Sequence, residues 1–189
     1  MKDILEFCPK NQSEWREWLK ENHITAQAVW LVLYKKSAIS YNNLGWSEAV
    51  DEALCFGWID SVKKSIDDER YKQYFSKRKA KSNWSKVNKE KIANLIEQNL
   101  MQAQGYKSIE VAKENGSWTI LDSVENLEIP KDLAASFTKH YGAKAFFNSL
   151  SNSSKKLLLY KVTSAKREAT RQKRIEAIAK DMAANKKPT

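Results

Sequence analysis

Apolar and polar positions switch between a helical and a strand period along the chain, and those switches divide it into elements. Ser13 can cap a first helix that sets Trp15, Trp18 and Leu19 on one face and ends near Asn22 and His23. Residues 28–34 are then apolar on both alternating faces and rich in β-branched and aromatic side chains, as a central strand requires. Lys35 and Lys36 close that run, and Asn42, Asn43, Leu44 and Gly45 read as loop, with Trp46 leading into a cap at Ser47. The helix predicted from Ser47 carries Glu48, Asp51 and Glu52 in its opening turns, where the positive end of the helix dipole favours them. Val50, Ala53 and Leu54 point inward, and Gly57 suits the position just past the helix end. Residues 58–63 and 70–75 both alternate at the strand period. Asp67 and Asp68 between them supply turn chemistry, so an antiparallel hairpin is predicted.

From Ser82 onward the period is helical. Val87, Lys91, Ile92, Leu95 and Ile96 form one stripe, with Ser82, Asn83 or Ser85 as its cap. Residues 104–114 make a second helix closed by Asn115 and Gly116, and Pro130 fits the first position of a third. Residues 143–150 and 151–165 predict two more, the latter capped by Ser151 and carrying Leu157, Leu158, Tyr160 and Val162. A last, basic helix over 168–184 turns Ile175, Ile178, Ala179 and Met182 inward, ahead of a tail expected to fray. The class is α+β: a small antiparallel sheet with helices over residues 1–100, and a helical region over 101–189 packed on it. No repeat and no Pro/Gly-rich linker is present, so one compact unit is expected.

Composition narrows the setting. With 42% hydrophobic and 11% aromatic residues in 189, a real core can form, and most of the seven Trp, seven Tyr and six Phe belong in it. Cys8 and Cys55 make no disulfide framework; Cys55 lies in an apolar run, and a reducing, cytoplasmic setting is the simpler expectation beside a Cys8–Cys55 bridge. Neither a secretory signal nor a membrane-spanning stretch is visible.

Charge is the more informative property. The net +10 is uneven: −3 over residues 1–60, +7 over 61–91, −2 over 92–154 and +8 over 155–189. Two basic blocks favour an acidic partner, whether a small anionic ligand, nucleic acid, an anionic membrane surface or an acidic protein.

Several segments resemble the YdeI/OmpD-associated (bacteriocin-protection) family. They are Glu52-Ala53-Leu54-Cys55-Phe56-Gly57-Trp58-Ile59-Asp60, Asp67-Asp68-Glu69-Arg70-Tyr71, residues 75–78, and Lys81-Ser82-Asn83-Trp84-Ser85-Lys86-Val87-Asn88-Lys89-Glu90. Phe146-Phe147, Ala165-Lys166-Arg167-Glu168, Thr170-Arg171 and Arg174-Ile175 are similar to the family's ending. The resemblance implies a role in resistance to bacteriocins or cationic antimicrobial peptides, and brings no catalytic residues with it. Ala169 departs from the proline often found there in the family, which touches only the entry to the last helix.

The candidate ligand-binding residues gather around the hairpin and the helix start after it: Trp58, Asp60, Arg70, Tyr71, Arg78, Lys81, Ser82, Asn83, Trp84, Ser85 and Asn88. Arginine offers a fork of donors, and a helix N-terminus favours negative charge. The structural alternative is that Asp60 pairs with Arg70 or Arg78 and that Ser82–Ser85 only cap a helix. A basic strip of Lys166, Arg167, Arg171 and Arg174 lies in the second block. Nucleic-acid binding would use segments 72–91 and 166–174, with Tyr74, Phe75 and Trp84 stacking among cations, but charge runs are usually solvated faces. The last helix could lie on anionic lipid, although packing against the helix before it explains its Ala-rich face better. Enzymatic readings are thin: His23 and His140 are far apart, Cys55 has no thiolate-stabilising neighbour, and Asp60 is the single acid or base worth naming. No metal ligand set or cofactor motif is legible, Asp67-Asp68-Glu69 at a turn included. A non-enzymatic binding or protection protein with a basic, aromatic ligand surface is therefore the expectation.

Overall fold

The apolar run after the first helix forms the strand expected of it in the computed structural model, which describes residues 4–38 and 44–188. The loop expected at Asn42 and Asn43 lies outside the described residues. Two compact units are formed, Met1–Ser82 with Val87–Ser117, and Asn83–Lys86 with Trp118–Thr189.

In the first unit, β1 (Glu6–Phe7), β2 (Ala28–Tyr34), β3 (Trp58–Ser65) and β4 (Arg70–Lys77) make one sheet in the order β1-β2-β4-β3. The hairpin β3–β4 and the pair β2–β4 are antiparallel as expected. The sheet as a whole is mixed, because β1 lies parallel to β2. Two residues are too short to show a period, so that strand was invisible to pattern reading.

One face of the sheet is buried under α1 (Gln12–Asn22) and α2 (Trp46–Cys55). Asn11, not Ser13, caps α1, its side chain accepting from the Glu14 amide. Trp15 and Leu19 are then buried; the Trp15 ring meets Phe75 edge-on at 5.5 Å and its indole donates to the Ala49 carbonyl at 3.1 Å. Gly45 takes the cap position of α2, where its amide donates to Glu48 at 2.9 Å. The helix ends at Cys55, and Gly57 just past its cap has a φ of +72° that suits a residue without Cβ.

Under α1 lies an ion pair that pattern reading did not foresee. Glu52, only 4% exposed, accepts from Gln12 at 2.7 Å and from Arg16 at 2.5 Å, while Arg16 also donates to the Leu100 carbonyl at 2.7 Å. Burial works against the Arg16 charge, but the hydrogen bond and charge of Glu52 outweigh it and raise its pKa.

α3 (Lys86–Glu97) begins directly after Ser85, the last of the three expected cap positions. Ile92 and Leu95 are buried, but Val87 is 57% exposed and Ile96 40%, so the inward stripe is narrower than the expected one. Lys91 reaches back to α2, donating to Asp51 at 2.7 Å and to the Ser47 hydroxyl at 2.7 Å. α4 (Ala103–Glu114) packs on α2.

The second unit contains α5 (Asp122–Glu125), α6 (Lys131–Thr138), α7 (Ala143–Ser149), α8 (Asn152–Thr163) and α9 (Glu168–Ala183). Pro130 sits one position earlier than expected, as the cap of α6. Ser151 caps α8 as expected. Leu133, Phe137, Phe147, Leu158, Leu159 and Val162 pack with Ile175, Ile178, Ala179 and Met182 of α9, the four residues its pattern turned inward. Leu157 and Tyr160 stay partly exposed. Among the described residues, no helix is long and apolar enough to cross a membrane.

Candidate functional site

A β-bulge decides what β3 presents. Asp60 pairs with Phe75 and Lys63 with Gln73, so three steps along β3 match two along β4. The extra residue turns Lys63, rather than Val62, to the face that carries Asp60, and Val62 is left exposed. Asp60 and Lys63 thereby line one cavity of about 520 Å³, together with Tyr34, Lys35, Lys36, Gly45, Trp46, Tyr71 and Gln73. Here Asp60 Oδ2 accepts two hydrogen bonds, from the Trp46 indole at 3.0 Å and from the Gln73 amide at 3.0 Å. Gln73, only 3% exposed, also donates to the Ser61 carbonyl at 3.2 Å and is fixed by both. The Lys63 ammonium stands 3.9 Å from the centre of the Tyr71 ring, a cation–π contact. Burial pushes the Tyr71 phenol pKa up.

A second cavity, about 260 Å³, opens at the other end of β3. His23, Ile24, Phe56, Gly57 and Trp58 form one side; Lys77, Arg78, Lys79 and Ala80 follow β4; Gln104, Lys107, Ser108 and Val111 come from α4. Trp58 is buried, its indole donating to the His23 carbonyl at 3.3 Å. The Arg78 amide donates to the Gly57 carbonyl at 2.9 Å, holding the strand end against the turn. The Nε and Nη1 atoms of Arg78 are buried, and burial lowers its pKa to about 10, against the opposing pull of the Asp60 charge. Lys77 donates to the Ile24 carbonyl at 2.5 Å, whereas Lys79 and Lys107 are exposed with no carboxylate partner among the described residues.

The expected patch is thus distributed. Trp58 and Arg78 share the basic cavity; Asp60 and Tyr71 share the aromatic one. Arg70 joins neither: it lies at the hairpin turn, paired with Asp67 at 2.7 Å, and so does not bond Asp60. Lys81 is exposed and Ser82 and Asn88 are half-buried in the first unit. Asn83, Trp84 and Ser85 belong to the second unit, where Trp84 is 1% exposed and packs on Trp118 with ring centres 5.0 Å apart. Asn83 donates to the Tyr160 hydroxyl at 3.3 Å. Of the basic strip, Lys166 and Arg167 are exposed. Arg171 forks onto Asp132 at 2.6 and 2.9 Å, and Arg174 donates to the Lys161 carbonyl at 2.6 Å. Phe75 and Trp84, counted on for stacking, are both buried. Sequence reasoning missed Tyr34, Trp46, Lys63, Gln73, Gln104 and Lys107, which reach the cavities from separate elements. Among the described residues, no group of three or more His, Cys, Asp or Glu side chains could hold a metal ion. Cys8 is an exposed free thiol and Cys55 a buried one.

Two family models match the sequence. Residues 7–108, more than half of the chain, match one described as a domain of unknown function (DUF8412). Residues 126–185 match one described as bacteriocin-protection, YdeI or OmpD-associated. The second match supports the family suspected from the motifs, including those from Phe146 to Ile175, whereas the similar motifs between Glu52 and Glu90 fall within the first. No curated protein and no solved structure matches the chain.

Proposed function

Because the chain belongs to the family of that domain of unknown function and carries a bacteriocin-protection, YdeI or OmpD-associated region over residues 126–185, we propose that it is a non-enzymatic binding protein that captures a small anionic group in the cavity at Arg78. What supports this reading is the charge of the wall: Lys77, Arg78, Lys79 and Lys107 line it, and among the described residues no carboxylate does. A paired fork of guanidinium donors beside three ammonium groups suits a phosphate or carboxylate. The volume of about 260 Å³ fits a head group rather than a whole drug-sized molecule, for which roughly 300–1,000 Å³ is usual. Protection against bacteriocins or cationic peptides is the role assigned to that binding, through a small anionic ligand or an acidic partner.

The double variant Lys79→Glu with Lys107→Glu tests it, since neither side chain has a carboxylate partner to lose. Phosphate and citrate affinities, read by calorimetry, should fall by about tenfold or more on reversing two charges at the wall, and protection of cells should fall with them. A folded variant with unchanged anion binding and unchanged protection sinks the reading. A rival reading, Asp60 as acid or base, has one observation in its favour: Asp60 is held in a cavity by Trp46 and the buried Gln73. Any turnover that a folded Asp60→Asn variant loses would overturn the non-enzymatic assignment.

A further inference from the structure

We propose that the cavity around Asp60 is a separate site for a nucleotide, with a flat, amino-bearing base among Tyr34, Trp46 and Tyr71 and its phosphate toward Lys35 and Lys36. The site shares no lining residue with the anion cavity at Arg78. Its volume of about 520 Å³ falls inside the range of roughly 300–1,000 Å³ typical of small-molecule sites.

Three features point to this chemistry. The first is the aromatic wall. Trp46 is 48% exposed, unlike the sealed Trp15, Trp58 and Trp84, and its indole N–H is anchored on Asp60 at 3.0 Å. An anchored, open ring beside Tyr34 offers a stacking surface that any flat base can use, while the buried Tyr71, with Lys63 over its ring, closes the wall. The second is the carboxylate. Both donors converge on Asp60 Oδ2, and among the described residues Oδ1 accepts from no protein group. An ionised carboxylate only accepts, so Oδ1 selects a ligand that brings an N–H. With Gln73 buried and bonded on two sides, Asp60 cannot swing away to meet solvent without breaking that arrangement. The third is charge. Three lysines line the cavity against one aspartate. Lys63 is held over Tyr71, and Lys35 donates to the Asp67 carbonyl at 2.6 Å, a neutral group that leaves its charge uncancelled. A ligand with a donor at one end and an anion at the other matches both ends of the cavity.

Calorimetric titration of the full chain with AMP, GMP and CMP tests the assignment, beside purine riboside 5′-monophosphate, which is AMP without its amino group, and ribose 5-phosphate. At least one of the three nucleotides should bind. If AMP is among them, its de-amino analogue should bind about tenfold more weakly, the loss expected for a missing hydrogen bond to a charged acceptor. Asp60→Asn should weaken binding by a similar factor, and Trp46→Ala should remove it. Lys35→Glu with Lys36→Glu should weaken the monophosphate while leaving the nucleoside unchanged. Should Asp60→Asn fail to fold, Trp46→Ala at the exposed start of its helix and the analogue comparison on the native protein still decide. Absence of binding at millimolar nucleotide, equal binding of ribose 5-phosphate, or binding lost in Lys79→Glu with Lys107→Glu but kept in Asp60→Asn would each overturn the proposal.

Discussion

Gly105 lies directly against Cys55: a Cβ built on the glycine would stand 2.2 Å from the Cys55 carbonyl oxygen. That carbonyl accepts from the Gln102 amide at 3.1 Å, so the end of α2 and the start of α4 are locked backbone to backbone. Neither side can yield by turning a rotamer. Gly105→Ala should therefore force α4 away from α2 and cost about 2–4 kcal/mol, the scale of overpacking that backbone must absorb. Because α4 supplies Gln104, Lys107 and Ser108 to the basic cavity, anion binding should weaken along with the drop in melting temperature. A melting temperature equal to wild type would show that the helix start can move.

Arg16 and Glu52 make the second prediction. Their side chains are 18% and 6% exposed, so removing one leaves the other charged and poorly solvated. Glu52→Ala should cost about 3–5 kcal/mol in urea unfolding, the usual penalty for orphaning one half of a buried pair. Replacing both, by Arg16→Met with Glu52→Leu, should recover much of that loss. Equal damage from the single and double variants would mean that the pair contributes shape rather than charge compensation.

The two thiols should differ sharply in reactivity. Burial raises the Cys55 pKa to about 11 even though Arg16, a stabilising neighbour not expected from the sequence, pulls it down through a hydrogen bond, so almost no thiolate exists near neutral pH. Cys8 is exposed, although partial burial of its sulfur raises its pKa as well. A disulfide-exchange reagent at pH 8 should titrate one thiol in the native protein and two in denaturant. Two fast thiols in the native state would contradict the burial of Cys55.

Much of the fold could be read in advance because its helices announce themselves locally. Ser151 as a cap and the inward set Ile175, Ile178, Ala179 and Met182 follow from spacing alone. The hairpin was equally plain from Asp67 and the alternation around it. What escaped depends on pairing rather than on period. A plain strand period puts Val62 on the face of Asp60, and only the partner strand reveals that one residue is extra and that Lys63 faces with Asp60. The aromatic cavity escaped for a related reason: Tyr34, Trp46 and Gln73 sit on three elements, each innocuous alone. Arg70 was offered to Asp60 on charge, yet Asp67, three residues back in the same turn, was the nearer partner by sequence. Trp84 looked like a recognition residue among lysines, but a large ring next to a second one, Trp118, is buried.

The last prediction concerns acid stability of the C-terminal unit. Arg171 on α9 forks onto Asp132 of α6 and donates its remaining nitrogen to the Val162 carbonyl of α8 at 3.2 Å, tying three helices. The hydrogen bond from Arg171 holds the Asp132 carboxyl below its ordinary pKa of 3.8, with the Leu133 amide helping. A carboxyl whose folded pKa is depressed adds stability that is fully present above its unfolded pKa and disappears as pH falls through the folded value. The stabilisation should therefore be complete at neutral pH and be lost only below about pH 4, the ordinary carboxylate range. Asp132→Asn should lower stability at pH 7 by about 1 kcal/mol, a modest figure because both side chains remain partly in water. The gap between wild type and variant should close as the pH is brought well below 4, where the native carboxyl is protonated too. A gap that stays constant from pH 7 to pH 2 would mean that shape, not the charge on Asp132, is what joins α6 to α9.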